Sequence, residues 1–535
     1  MAENKNIAGE NPAATCDSKP CLVQTAQGFT VSYAGKFLYS KYNPSKAIQQ
    51  IIDNLTIQPQ TIILCVSPIL NYGLKELSQK LPEDCIMLGC ELEPELYAFT
   101  QENKNTPECD FSNIKNFSFI SKDELYELGP QLIKQMPGSF RRIIRIDFSA
   151  AAQLNSDTYN KVVENVTNAL MTYWANRVTL VKFGRKYCTN FFKNLSIADK
   201  TVPITKYFGA FDKPVLVFGA GESAQAGIER IKKSARKDFF ILCADTALQP
   251  LLANDITPDG VFIEEAQNVI CKCFIGTQGA GIHIFAGLSS VHSITRYFKP
   301  EQISFFTTEF VQANFIDRFE KAGILPPKNE PFGSVGITAY YYALLFRKDS
   351  SIPIETYGLD FAYSAGRTHT KGAMADNARF QNSNRIKTDT NFGAAFNDTA
   401  FKKSDKMFTT PIMARYDSIM SALRQASLAI TDDVQVFEEN LVSSRSERLP
   451  EPVEGPQTIK SYLLKEKKSL EELKSLLTGE TKLPAEQLEQ KITNLIKERE
   501  YLYLHFPDGH KFTYTQSFLN RIRIEVEYYL KILKW

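Results

Sequence analysis

Asp360 and His369 share one polar, glycine-flanked stretch, Gly358-Leu-Asp-Phe-Ala-Tyr-Ser-Ala-Gly-Arg-Thr-His369, which follows an apolar strand-like run. An imidazole titrates near neutrality and a strand-end carboxylate can orient it and stabilise its charge, which are the requirements of a general base and its partner. Arg367 lies in the same loop, and its planar fork suits bidentate pairing with a carboxylate. A second group surrounds Gly219-Ala-Gly221-Glu-Ser223, directly after the run Val215–Phe218. A buried strand, a glycine turn and a helix start aim backbone N–H groups at one point, where a phosphate is commonly held. Asp245 ends the next apolar run, and Ala224 stands where a dinucleotide fingerprint has its third glycine. NAD binding and a plain strand-to-helix turn capped by Ser223 both fit this spacing.

Gly333 and Ser334, with Thr338 one turn into the following helical run, form another glycine turn and so a second candidate anion cradle. Asp245 and Asp259 suit ribose contacts, or an N-cap and a turn residue respectively. Glu264 suits a rim acid, although its neighbour Glu265 fits a solvent-facing pair equally well. His283 lies within an apolar run, so structural roles are expected for it and for His292. Nothing is assigned to His505 or His510.

The elements that would position these groups alternate apolar runs with helical patterns, the signature of α/β folds. Two Rossmann-like doubly wound domains followed by an α-helical C-terminal region are expected. The divisions are a disordered tail over 1–30, a first α/β domain over 31–208, a central catalytic domain over 209–428, and helices over 429–535. In the first domain, Thr61–Val66 and Ile86–Cys90 read as strands, the latter ending at Glu91. In the last region, leucines recur at helical spacing from Leu463 onward.

Sixty-two basic against 60 acidic residues leave a net charge of +2, which gives no reason to expect nucleic acid or an anionic membrane as partner. No apolar stretch approaches the ~20 residues of a membrane-spanning helix, and the N-terminus lacks a secretory pattern, so a cytoplasmic protein is expected. The ten cysteines show no zinc-ligand spacing and are read as reduced.

Several strings, in order, resemble the motility accessory factor (Maf) family of flagellin glycosyltransferases. They are Leu38-Tyr-Ser-Lys-Tyr-Asn-Pro44, Asn176-Arg177 through Phe183-Gly184 to Asn194-Leu195, the turn Gly219–Ser223, Ala244-Asp245 with Ile256-Thr-Pro-Asp259, Gly333-Ser334-Val335, and Gly358–Tyr363 with Thr368-His369. The resemblance implies a central domain similar to bacterial sialyltransferases and to the hydroxymethylpterin pyrophosphokinase (MptE-like) fold. It implies transfer of a nonulosonic acid, of pseudaminic or legionaminic type, from its CMP-activated form to Ser or Thr of flagellin, in support of motility. His369 and Asp360 would then be catalytic. Gly219, Gly221, Ser223, Asp245, Asp259, Glu264, Gly333, Ser334, Thr338 and Arg367 would face the donor, and the helical C-terminus would recognise flagellin. A CMP donor carries one phosphate and no Asp-x-Asp stands at a strand end, so neither a metal nor a cofactor is expected. Two departures stand out. Glu222 replaces the family's proline, placing a carboxylate beside the expected phosphate, and the Asn-x-Thr-x-Gly-Gly string expected after Tyr416 is absent around Ile430–Asp433. The fold similarity leaves open a pterin pyrophosphokinase, and the two departures leave open a non-catalytic flagellin-binding assembly factor.

Overall fold

Short, fully buried apolar runs become the inner strands of two parallel sheets, because a strand covered on both faces needs no polar alternation. The computed structural model describes residues 19–277, 279–311, 313–386, 388, 392–429 and 458–534. The chain divides into two units, Met1–Leu180 and Val181–Trp535.

The first unit opens with an antiparallel meander, β1 (Cys21–Thr25), β2 (Gly28–Tyr33) and β3 (Lys36–Phe37). Residues 21–30 are thus not part of a disordered tail. They pair along β1 and β2, and Tyr72 ties the start of β2 by accepting the Phe29 N–H at 2.9 Å. The four-stranded parallel sheet has the order β6-β5-β4-β7, with β4 (Thr61–Val66), β5 (Ile86–Cys90), β6 (Phe117–Phe119) and β7 (Arg142–Asp147). Helices α1 (Lys46–Asn54), α2 (Leu74–Lys80), α3 (Pro94–Glu102), α4 (Lys122–Tyr126), α5 (Leu128–Gln135) and the first part of α6 (Ser156–Leu195) complete it. β4 is followed by Ser67, whose φ of 50° puts a strained residue where a glycine turn is expected. Glu91, at the end of β5, is buried, and burial pushes its carboxyl up to about 7.

The boundary falls inside α6, upstream of the division expected at 208, because the end of that helix builds the second unit. The side-chain amides of Asn190 and Asn194 donate to the carbonyls of Ala266, Ser289, Leu288 and Ser290. The second unit carries a seven-stranded parallel sheet of order β13-β12-β11-β10-β9-β8-β14. Its strands are β8 (Val215–Phe218), β9 (Phe240–Ala244), β10 (Gly260–Ile263), β11 (His283–Gly287), β12 (Ile303–Thr308), β13 (Lys328–Asn329) and β14 (Ile354–Tyr357). The main helices are α7 (Ala224–Lys232), α8 (Leu248–Leu252), α9 (Asn314–Lys321) and α10 (Val335–Phe346). α10 is buried along most of its length and packs across β8, β9 and β10. It thereby carries the chain back over the sheet, so that β14 pairs with β8 on the side opposite β9. A three-stranded antiparallel sheet, β15 (Tyr363–Ser364), β16 (Phe401–Lys402) and β17 (Met407–Thr409), follows with α11 (Met374–Asn382), α12 (Phe392–Ala395) and α13 (Pro411–Ala429).

The C-terminal helices Ile459–Thr478, Ala485–Lys497 and Gln516–Ile532 form as the leucine spacing predicts. They are built into the second unit rather than appended to it. Buried Glu466 accepts from Arg318 of α9 at 3.1 Å, from Arg499 at 3.2 Å and from Tyr501 at 2.7 Å. The Glu500 carboxylate accepts the N–H groups of Asn314 and Phe315 at the start of α9. Phe192 of α6 packs edge-on against Tyr501 and Tyr529.

Candidate functional site

The strand order reverses between β8 and β14, and in open parallel sheets the crevice at such a switch point is where ligands bind. Two turns meet there. The N–H of Gly219 donates to Tyr357 O at 2.7 Å and that of Gly221 to Gly358 O at 2.9 Å. Gly358 returns its N–H to Ser223 Oγ at 2.7 Å, and the Ser223 N–H donates to Asp360 Oδ2 at 3.0 Å. Gly358 adopts φ +70°, and a Cβ on Gly221 would strike both the Asp360 carboxylate and the Gly358 carbonyl. The glycines therefore serve the interlock of the two turns. Ser223 does not cap α7, since its hydroxyl is turned to Gly358. The cradle expected for a phosphate already holds the carboxylate of Asp360.

Glu222 does not crowd that cradle. Its Oε1 accepts the N–H and the hydroxyl of Ser364, at 2.7 and 2.5 Å, which ties the glycine turn to β15. The loop after β15 is fastened to the same turn by the Thr370 N–H, which donates to Ala220 O at 2.8 Å. His369 is thereby brought beside the glycine turn. Its Nδ1 lies 3.0 Å from Thr368 Oγ1, and its charged neighbours are Arg379 and Asp376. Asp360 is therefore not its hydrogen-bonding partner, contrary to the expected pairing. Burial, then the Arg379 charge, pull the imidazole below its ordinary value, so it is neutral at pH 7. Arg367 is exposed in this loop.

The start of α10 forms the other wall. Gly333 has φ +76° and Ser334 precedes the helix with an extended backbone and no capping bond from its hydroxyl. Thr338 Oγ1 donates to Glu264 Oε2 at 2.7 Å, and Thr308 Oγ1 to Glu264 Oε1 at 2.6 Å. These bonds lower the Glu264 carboxyl less than burial raises it. Leu359 fills the space beside both Gly219 and Gly336, so it lies between the glycine turn and the α10 start. Asp245 directly follows β9 on the same rim. Its Oδ1 accepts the Thr246 N–H, its Oδ2 is buried without a hydrogen-bond partner among the described residues, and burial pushes it up to about 7. Asp259 is not brought to this rim. It precedes β10 at the opposite edge of the sheet, accepts the Ile241 N–H at 2.7 Å and pairs with Arg236 at 2.8 Å.

Sequence reading missed Lys403, which donates to Asp360 O at 3.2 Å and pairs with Asp417 at 2.8 Å. It reaches the crevice only because β16 pairs with β17 and β17 with β15, a long-range antiparallel register with no local signal. Phe361, at φ +45°, is a further strained residue beside Asp360.

Residues 186–366 match the family model described as 6-hydroxymethylpterin diphosphokinase MptE-like. The solved structure of a Maf glycosyltransferase from Magnetospirillum magneticum AMB-1 superposes with a TM-score of 0.51 at 13% identity, covering 96% of this chain and 91% of that one. The chain has the fold of a Maf glycosyltransferase. An uncharacterized protein of Treponema pallidum (strain Nichols) is 29% identical over 560 residues, covering 96% of this chain and 95% of its own. Within the Maf fold, the MptE-like segment contains both interlocked turns, Asp245, Glu264, the α10 start and Asp360. It ends before Arg367, His369 and Lys403. No helix among the described residues is long and apolar enough to cross a membrane.

Proposed function

We propose that the protein is a glycosyltransferase that moves a nonulosonic acid of pseudaminic or legionaminic type from CMP to Ser or Thr hydroxyls of flagellin in the cytoplasm, for flagellar assembly and motility. The observation that carries this reading is the Maf fold running through 96% of the chain, with two hydrogen-bonded polar turns meeting at the switch point of its sheet. The α10 start, with Ser334 and Gly333, receives the donor phosphate. Its positive dipole end carries no acidic residue in the first turn, whereas the α7 turn is already occupied by Asp360. His369, neutral at pH 7, takes the proton of the acceptor hydroxyl. The hydroxyl oxygen bonds to the anomeric carbon as the bond to CMP breaks, and CMP departs with that electron pair. Arg367, exposed beside His369, pairs with the sugar carboxylate. Asp360 holds the glycine turn in register with the His369 loop, and Asp245 and Glu264 line the nucleotide side. The C-terminal helices recognise flagellin.

Purified protein, CMP-pseudaminic or CMP-legionaminic acid and flagellin test the reading, with the intact mass of flagellin as readout. One sugar increment or more per chain is the expected result. The match over 186–366 favours a second reading, pyrophosphoryl transfer from ATP to a hydroxymethylpterin. That activity releases AMP and leaves the flagellin mass unchanged.

A further inference from the structure

A cleft of about 470 Å³ opens on the second unit between the end of α6 and the loops that follow β10 and β11. Lys182, Arg185, Lys186, Lys193 and Arg296 line it, and among the described residues no carboxylate does. Four of these come from a single helical face, spaced so that Lys182 and Lys186 stack one turn apart. Like charges at that spacing destabilise a helix unless an anion lies between them. Only Arg185 is compensated, by Glu525 at 3.0 Å, and its guanidinium is stacked on Tyr528 at 3.9 Å. The other four cations form no ion pair among the described residues. In a chain of net charge +2, such a one-signed wall is a local feature and not a consequence of composition.

The floor of the cleft is fixed. Asn194 spends its amide hydrogens on the carbonyls of Leu288 and Ser290, so its oxygen must accept from His292 Nδ1, 2.8 Å away. That places the His292 proton on Nδ1 and leaves Nε2 as the unprotonated ring nitrogen. Burial, then Lys193 and Arg296, hold this imidazole below its ordinary value.

We propose that this cleft is an anion-binding site for a phosphate-bearing small molecule of sugar-phosphate or nucleotide size, distinct from the switch-point crevice. The four cations outside the Arg185–Glu525 pair match at least two negative charges, and the volume lies in the range of small-ligand sites. The site does not depend on the glycosyltransferase reading.

Inorganic pyrophosphate titrated calorimetrically into the full chain is the direct probe. Saturable one-to-one binding is expected, weakening as salt is raised. The variant Lys186→Gln/Arg296→Gln, altered at two exposed positions, should keep the wild-type melting temperature and bind at least tenfold more weakly. The His292 pKa, followed by NMR, should rise on addition of pyrophosphate to the wild type. A nucleoside diphosphate and a sugar phosphate, titrated in parallel, identify the organic part that fits. Absence of pyrophosphate binding, equal binding by the double variant, an unmoved His292 pKa, or binding only of long RNA without defined stoichiometry would each overturn the proposal.

Discussion

The Asp360 carboxylate accepts the backbone N–H of Ser223 at 3.0 Å and occupies the space that a Cβ on Gly221 would need. That side chain, with the Gly358 carbonyl, explains the glycine, and it fills the anion cradle that the glycine spacing predicts. Gly221→Val should destabilise the protein by about 2–3 kcal/mol, as overpacking against a fixed neighbour does. Asp360→Asn keeps the shape and an acceptor, and should cost no more than about 1.5 kcal/mol. Urea denaturation measures both. The penalty of Gly221→Ala should shrink in combination with Asp360→Ala, since the obstructing side chain is then gone, and strictly additive effects would contradict the interlock.

For His369, the proposal requires a neutral imidazole. His369→Ala should lower transfer by about 100- to 10,000-fold while the melting temperature stays near that of the wild type. The acid limb of the rate profile should lie below the ordinary histidine value, and Arg379→Gln should move it upward by removing a neighbouring cation. An acid limb that stays in place in Arg379→Gln would contradict the assignment.

Asp245 predicts a pH-dependent stability. Its folded value of about 7 exceeds the unfolded value of ~3.9, so between these pH values the native state binds more protons than the unfolded one. Stability attributable to this group therefore falls as pH rises from about 4 to about 7 and is level above. Asp245→Asn should remove the slope, and its stability advantage over wild type should grow through that window. Melting temperatures from pH 4.5 to 8 provide the test.

The parallel strands were legible because buried runs such as Thr61–Val66 and Ile86–Cys90 are continuous and apolar, and both form over those residues. The α/β class and the C-terminal helices followed from the same periodicities. What one-dimensional spacing could not supply was the partner of each polar group. Glycine spacing cannot distinguish a turn that awaits a phosphate from one that receives Asp360. Asp259 reads like a ribose-contacting acid or a turn residue, and parallel strands put the residue before β10 at the edge opposite the crevice. Glu222 meets Ser364 only through the fold. Residues Ile430–Asp433, the place of the family's Asn-x-Thr-x-Gly-Gly string, lie outside the described residues.

The C-terminal helices form part of the second unit's interior. Glu466→Ala strands Arg318 and Arg499 without their shared carboxylate, and should cost about 3–5 kcal/mol. A chain ending at Leu428 would lose Tyr501 and Tyr529 from the ring cluster around Phe192. It should fail to give a cooperative thermal transition, where an independent module would leave the remainder intact.

The central claim is glycosyl transfer to flagellin from a CMP donor. Intact-mass spectrometry of flagellin, incubated with CMP-nonulosonic acid and either wild-type protein or His369→Ala, tests it most directly. Mass gains of whole sugar increments with wild type, and at least about 100-fold less modification with His369→Ala over the same incubation, are the predicted result. Unmodified flagellin with the wild-type protein, accompanied by AMP release from ATP and a hydroxymethylpterin, would contradict it.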